Sequence, residues 1–186
     1  MRRLSIALVH HPVLDGVGTI VTSAVTNLDI HDLARSAKTF GCETYFIVHP
    51  IAAQRELVER VCHHWAEGSS GKRIPARKEA LALVRAVPSL EDVYASYGGR
   101  SEVEVWSTAA RGAEGTWPVS EGRRRLEGEG KPVLLLFGTS WGMPESLLAG
   151  ADGRLEPVVA QAETGYNHLS VRSACAILLD RLLGAR

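Results

Sequence analysis

The sequence is short of cysteine, has no surplus of either charge and contains no long apolar run, and each shortage removes a class of protein. Its three cysteines, Cys42, Cys62 and Cys175, lie far apart and form no Cys-x-x-Cys pair. Neither a disulfide scaffold nor a zinc site of that spacing is expected. Lysine plus arginine equals aspartate plus glutamate at 21 each, so no global positive field draws the chain to a polyanion and any nucleic-acid surface has to be local. The start Met1-Arg2-Arg3 is followed only by the short apolar run Ile6 to Val9. A small-residue cleavage site and the ~20 apolar residues of a membrane span are both missing, which points to a soluble cytoplasmic protein with no membrane partner. The seven histidines include the adjacent pairs His10-His11 and His63-His64. Neighbours on a strand or helix point in different directions, so these read as exposed or strand-end histidines and no metal is expected.

What remains is ordinary globular material: 186 residues, 45% hydrophobic and 23% charged, enough for one well-buried core and read as a single domain over residues 1–186. Ser5 to His10 reads as a strand. Thr26 and Asp29 form a capping-box pair at the start of a helix from about Asn27 to Phe40, with Ile30, Leu33, Ala34 and Ala37 as its buried stripe and Gly41 as its stop. Thr44 to Val48 is a second strand, then a helix over Ala52 to Ala66, a polar break over residues 67–73, a helix over Ala76 to Ala86, and a short one over Leu90 to Ala95. Glu102 to Thr108 alternates as a third strand. Val133 to Phe137 does not alternate, as befits a strand covered on both faces in the middle of a parallel sheet. Arg154 to Val158 is a fifth strand and Ser170 to Leu183 a final helix. Strands separated by helices predict an α/β fold with a mostly parallel sheet flanked by helices, its ligand beyond the carboxyl ends of the strands.

Three places can carry chemistry. Gly138 and Gly142 bracket the turn after the central strand, where backbone can approach a small molecule closely; neither a dinucleotide fingerprint nor a P-loop is present, and a plain strand-to-helix turn fits equally well. Arg35 projects away from the buried stripe of its helix, free for a substrate or partner, although a surface pair with Asp32 is the commoner outcome. In the last helix Val171, Ala174, Leu178 and Leu182 make one buried stripe while Ile177, Leu179 and Leu183 fall outside it. A second burial surface follows, supplied either by a symmetric partner or by deep enclosure within the chain. Arg123-Arg124-Arg125 is the densest cationic run, nearly cancelled by neighbouring acids, and reads as a solvated loop or helix face as readily as a phosphate contact.

Together these segments resemble the three motifs of the SPOUT methyltransferases. Asn27 and Arg35, eight apart and followed by Gly41, look like the first; Leu136 to Gly142 looks like the second; Leu155-Glu156-Pro157 followed by Asn167 to Ile177 looks like the third. Val25 to Asp32 and Tyr166 to Ser173 are similar to a single-domain bacterial and plant family of RNA methyltransferases. The resemblance implies a C-terminal deep trefoil knot, a homodimer that buries the last helix, S-adenosylmethionine as cofactor and a tRNA or rRNA substrate. It implies that Thr108, Gly138, Gly142, Leu155, Pro157, Leu169 and Ser170 line the cofactor pocket, largely through backbone groups, and that Arg35 and Asn27 serve the substrate end. Ribose enzymes of the superfamily usually carry Asn-x-Gly and Leu-Asn-Val where this chain has Asn27-Leu28-Asp29 and Leu169-Ser170-Val171. Base methylation resembling the tRNA guanine-N1 enzymes therefore stands beside ribose methylation, with Asp29, His168 or Arg172 as candidate helpers. An unknotted flavodoxin-like nucleotide-binding enzyme and a non-catalytic RNA-binding module of the same fold are the rival readings.

Overall fold

The non-alternating run from Val133 to Phe137 is the middle of a sheet whose two faces are both covered. The computed structural model describes residues 1–185. Its elements run β1 (Leu4–Val9), β2 (Val13–Leu14), β3 (Ile20–Val21), α1 (Asn27–Thr39), β4 (Tyr45–Val48), α2 (Ala52–Glu67), α3 (Ser69–Arg73), α4 (Pro75–Leu81), β5 (Val84–Val87), α5 (Leu90–Ala95), β6 (Glu104–Ser107), α6 (Val119–Glu127), β7 (Val133–Gly138), α7 (Glu145–Ala149), β8 (Gly153–Arg154) and α8 (Val171–Leu183). Six strands form one sheet in the order β5-β4-β1-β7-β6-β8, every pairing parallel. β2 and β3 pair separately as a small antiparallel hairpin.

The pleat sorts the central strands cleanly. Leu4, Ile6 and Leu8 of β1, with Val133, Leu135 and Phe137 of β7, face the larger core, formed with α1, α2, α4, α6 and α8. Ala7, Val9, Leu134 and Leu136 face the other side, against Leu90, Val93, Met143 and Leu148. Each large aliphatic side chain so buried stabilises the fold by about 1.5–3 kcal/mol over its exposed state, and a strand covered on both faces is apolar along almost its whole length. Among the described residues, no helix is long and apolar enough to cross a membrane.

α1 starts as its caps dictate. The Thr26 hydroxyl oxygen accepts from the Asp29 amide at 3.2 Å, and Gly41 leaves the helix at φ +74°. The reciprocal half of the capping box differs from expectation: Asp29 accepts the Thr26 hydroxyl at 2.5 Å and an Arg172 N–H at 3.2 Å. A charged partner outcompetes a neutral amide for a nearly buried carboxylate.

Four other expectations need correction. The helix expected to reach Ala86 ends at Leu81, because Val84 to Val87 pairs with Tyr45 to Val48 as the edge strand β5. The polar break at 67–73 contains the short helix α3. The fifth strand is only β8 plus one bridge between Leu155 and Trp117; Pro157 has no N–H to extend a ladder. In α8 the buried residues are Cys175, Leu178, Leu179 and Leu182, so the stripe is rotated toward Leu179 and away from Ala174.

Candidate active site

Beyond the carboxyl ends of β6 and β7 three loops converge. β7 runs into the turn Thr139 to Gly142, where Ser140 adopts φ +55° and Gly142 φ +99°, a left-handed conformation that costs a non-glycine residue about 1–2 kcal/mol. The β2–β3 hairpin holds this turn: the Trp141 N–H donates to the Leu14 carbonyl at 3.1 Å and the Leu14 N–H to the Gly142 carbonyl at 2.8 Å. The exposed Trp141 ring meets the His168 ring edge-on at 6.4 Å, and His168 lies 5.2 Å from Tyr166. Asn167 donates to the Ala110 carbonyl at 2.9 Å. The second and third motif segments and the loop after β6 therefore meet.

The proposed pocket residues are distributed over this cluster in different ways. Thr108 follows β6, with its hydroxyl donated to the Leu136 carbonyl at 2.8 Å. Gly138 ends β7, where an added Cβ would stand 2.9 Å from Met143 Cγ and 3.0 Å from its amide nitrogen. Pro157 lies beside the loop after β6: a Cβ on Gly112 would come within 3.9 Å of its ring. Ser170 spends its hydroxyl capping α8 through the Ser173 N–H. The Leu155 side chain belongs to the core, 1% exposed, so only its backbone is left to face a ligand. Leu169 at 48% exposed, Trp141 at 60% and Tyr166 at 73% present apolar surface around the cluster. Glycine-bracketed backbone with exposed apolar side chains suits a nucleoside, which has flat apolar faces and polar edges.

Beneath the cluster lies a buried polar chain that residue spacing did not reveal. His10 is fully buried at the end of β1, rather than exposed. Thr139 donates its hydroxyl to the Val9 carbonyl at 3.2 Å, and the Ser23 hydroxyl lies 2.5 Å from Thr139 Oγ1 and 2.9 Å from His10 Nδ1. Read from the Val9 end, Ser23 donates to Thr139 and His10 Nδ1–H donates to Ser23, leaving His10 Nε2 a bare acceptor with no partner. His49 is fixed similarly: the Ile51 amide donates to its Nδ1, so Nε2 carries the proton and donates to the Ser23 carbonyl at 2.9 Å. Burial, reinforced by His49, pulls the pKa of His10 down to about 4, so its ring is neutral at physiological pH.

A second network ties the first motif to the third. Arg172, two residues into the turn that opens α8, donates to Asp29 at 3.2 Å and pairs with Asp32 at 3.5 Å; Asp32 in turn lies 4.0 Å from Arg35. Arg35 is 58% exposed and has the expected partner Asp32, at the limit of an ion pair. Asn27 is exposed at the start of α1 and lines a groove against α2 and α4, apart from the loop cluster. The Arg123-Arg124-Arg125 run lies on α6, paired with Glu127 and Glu121, and Arg125 covers the Trp117 ring at 3.9 Å. Among the described residues, no group of three or more His, Cys, Asp or Glu side chains is placed to hold a metal ion.

Comparison with known proteins finds relatives of the whole chain. Residues 3–184 match the family model for SAM-dependent RNA methyltransferases. The chain is 44% identical over 185 residues to a tRNA (guanine-N(1)-)-methyltransferase of Oleidesulfovibrio alaskensis, covering 98% of this chain and 42% of that protein. It spans 42% of a second protein of that name, from Nitratidesulfovibrio vulgaris, as well. A protein of Aquifex aeolicus whose name assigns no activity is 37% identical, covering 95% of this chain and 86% of that one. Among solved structures, TrmJ from Z. mobilis aligns with TM-score 0.62 at 17% identity, over 96% of this chain and 67% of that chain. The TrmH/SpoU tRNA modifying enzyme of A. aeolicus aligns with TM-score 0.61 at 11% identity, over 98% and 75%. These two speak for the fold.

Proposed function

Because the chain belongs to the SAM-dependent RNA methyltransferase family, we propose that it methylates a tRNA or rRNA nucleotide using S-adenosylmethionine held over the carboxyl ends of β6 and β7. The observation that carries this reading is the meeting of the second and third motif segments, with Trp141 against His168 and Asn167 bound to the Ala110 carbonyl. Gly138, Gly142 and the backbone after Thr108 and Leu155 hold the cofactor's polar edges, while Pro157, Leu169 and the capped turn at Ser170 close over its adenosine. S-adenosylmethionine supplies there an electrophilic methyl group. The protein's work is then positioning and proton removal. Arg35 holds a phosphate or favours the deprotonated nucleophile, with Asn27 beside the incoming strand. A base nitrogen is the favoured acceptor, supported by the two relatives named for guanine N1. More than half of each of those proteins lies outside the match, so a ribose hydroxyl remains the second acceptor.

The family also suggests a deep trefoil knot, with the segment leading to α8 threaded through the preceding loops, and a homodimer. The strip Val171, Ala174 and Ile177 on α8 is only half-buried within the chain, which supports a second copy covering it. A single domain over residues 1–186 and a cytoplasmic location go with this reading. Calorimetry should show S-adenosylmethionine binding, and Arg35→Ala should retain that affinity while losing methyl transfer to RNA by about 100-fold or more. Absent binding at millimolar cofactor, or an Arg35→Ala variant as active as the parent, would remove the reading. Nucleoside mass spectrometry of the product decides base against ribose.

A further inference from the structure

Between α1, α2 and α4 runs a groove of about 620 Å³ that the loop cluster leaves unexplained. Its apolar lining includes Val61 and Leu28, the latter 57% exposed. One wall is Trp65, with the Arg77 guanidinium over its ring at 5.0 Å and His31 edge-on at 5.6 Å. The sole carboxylate lining the groove, Asp32, is engaged by Arg35 and Arg172. The acids on α2, Glu56, Glu59 and Glu67, do not line it.

The neighbouring segment from Ser69 to Lys78 carries Lys72, Arg73, Arg77 and Lys78 and no acid. Among the described residues Arg60, Lys72, Arg73 and Arg77 form no ion pair, whereas all three arginines of α6 are tied to Glu121 or Glu127. A chain with no net charge thus sets four cations without carboxylate partners along one flank. Burial, then the adjacent Arg77, lowers the pKa of His31 and so favours its neutral form. Asn27, the residue assigned above to the substrate strand, also lines the groove.

We propose that this groove and the α3–α4 cations beside it are the RNA-docking surface, taking phosphates on Arg60, Lys72 and Arg73 and one unpaired base against Leu28 and the Trp65–Arg77 stack. Fixed cations beside an aromatic–guanidinium wall match single-stranded RNA, whose phosphates need neutralising and whose bases stack on aromatic and arginine planes. The choice of RNA as the polyanion rests on the methyltransferase reading.

The test is fluorescence anisotropy of a labelled RNA hairpin with an unpaired loop, titrated with the full chain over a range of salt. Lys72→Glu/Arg73→Glu should weaken binding by about tenfold or more and flatten the salt slope by about 1–2, with unchanged melting temperature and S-adenosylmethionine affinity. Arg60→Glu should weaken it less. Should charge reversal disturb folding, Lys72→Ala/Arg73→Ala must still flatten the slope. Unchanged RNA affinity in both variants would overturn the proposal, as would an acidic peptide of equal charge binding as tightly as the RNA. If S-adenosylmethionine fails to bind while the substitutions still weaken RNA binding, the methyl-transfer reading falls and the docking surface stands; the reverse pattern removes only the docking surface.

Discussion

The loop cluster over β6 and β7 and the flank of α2 to α4 treat their polar groups in opposite ways. In the cluster several hydroxyls and a turn amide are committed within the chain: Thr108 to Leu136, Thr139 to Val9, Ser170 to Ser173, and the Trp141 amide to Leu14. On the flank the arginines and lysines have no carboxylate partner. A site that must hold a small molecule in one geometry is pre-organised by internal bonds. A surface that must accept a flexible polyanion keeps its charges available, because neutralised cations release no counterions.

The comparison breaks or sharpens with three substitutions. The largest effect belongs to Gly138→Val, whose added atoms meet Met143 at 2.9 Å and 3.0 Å. About 3 kcal/mol of stability should be lost in denaturant unfolding, together with cofactor affinity. The same substitution should leave RNA affinity at moderate salt almost unaltered if the flank works independently.

A smaller effect belongs to pH. The folded pKa of His10, about 4, lies below the ordinary 6.5, so the unfolded chain binds the extra proton and stability falls as pH drops through that window. Between roughly pH 7 and pH 5 the loss should be about 2 kcal/mol. His10→Asn should flatten that part of the profile, because an amide N–H can still donate to Ser23; an equally steep profile in the variant would assign the acid sensitivity elsewhere. The smallest effect is Arg172→Met. Arg172 is about a third exposed and Asp29 keeps the Thr26 hydroxyl, so about 1 kcal/mol should be lost by thermal melting. Methyl transfer should fall more than cofactor binding, since Asp32 then answers to Arg35 alone.

Much of the scaffold was legible because it is local. The five-residue apolar run of β7, the cap at Thr26 with the stripe of α1, and α5 over Leu90 to Ala95 all lie where their patterns put them. β5 was not, because an edge strand has one hydrogen-bonding neighbour and half-exposed side chains, and Val84-Arg85-Ala86-Val87 continues a helical pattern as plausibly as it alternates. The motif residues took roles only through resemblance: spacing alone left Gly138 to Gly142 open between a ligand turn and a plain turn and favoured a surface ion pair for Arg35. His10 was read as a strand-end residue, but nothing in its neighbourhood along the chain announces Ser23 or Thr139 as partners.

The central strands β1, β4 and β7, the helices α1 and α8, the double-faced burial of β7 and the membership of the family were legible in the sequence alone, because periodicity, capping and motif residues act over a few positions. Tertiary structure decided the contacts that make the site. Arg172 reaches Asp29 across 143 positions and Ser23 reaches Thr139 across 116. Such partners are chosen by which strand ends and loops the parallel sheet brings together, a geometry that no local pattern encodes.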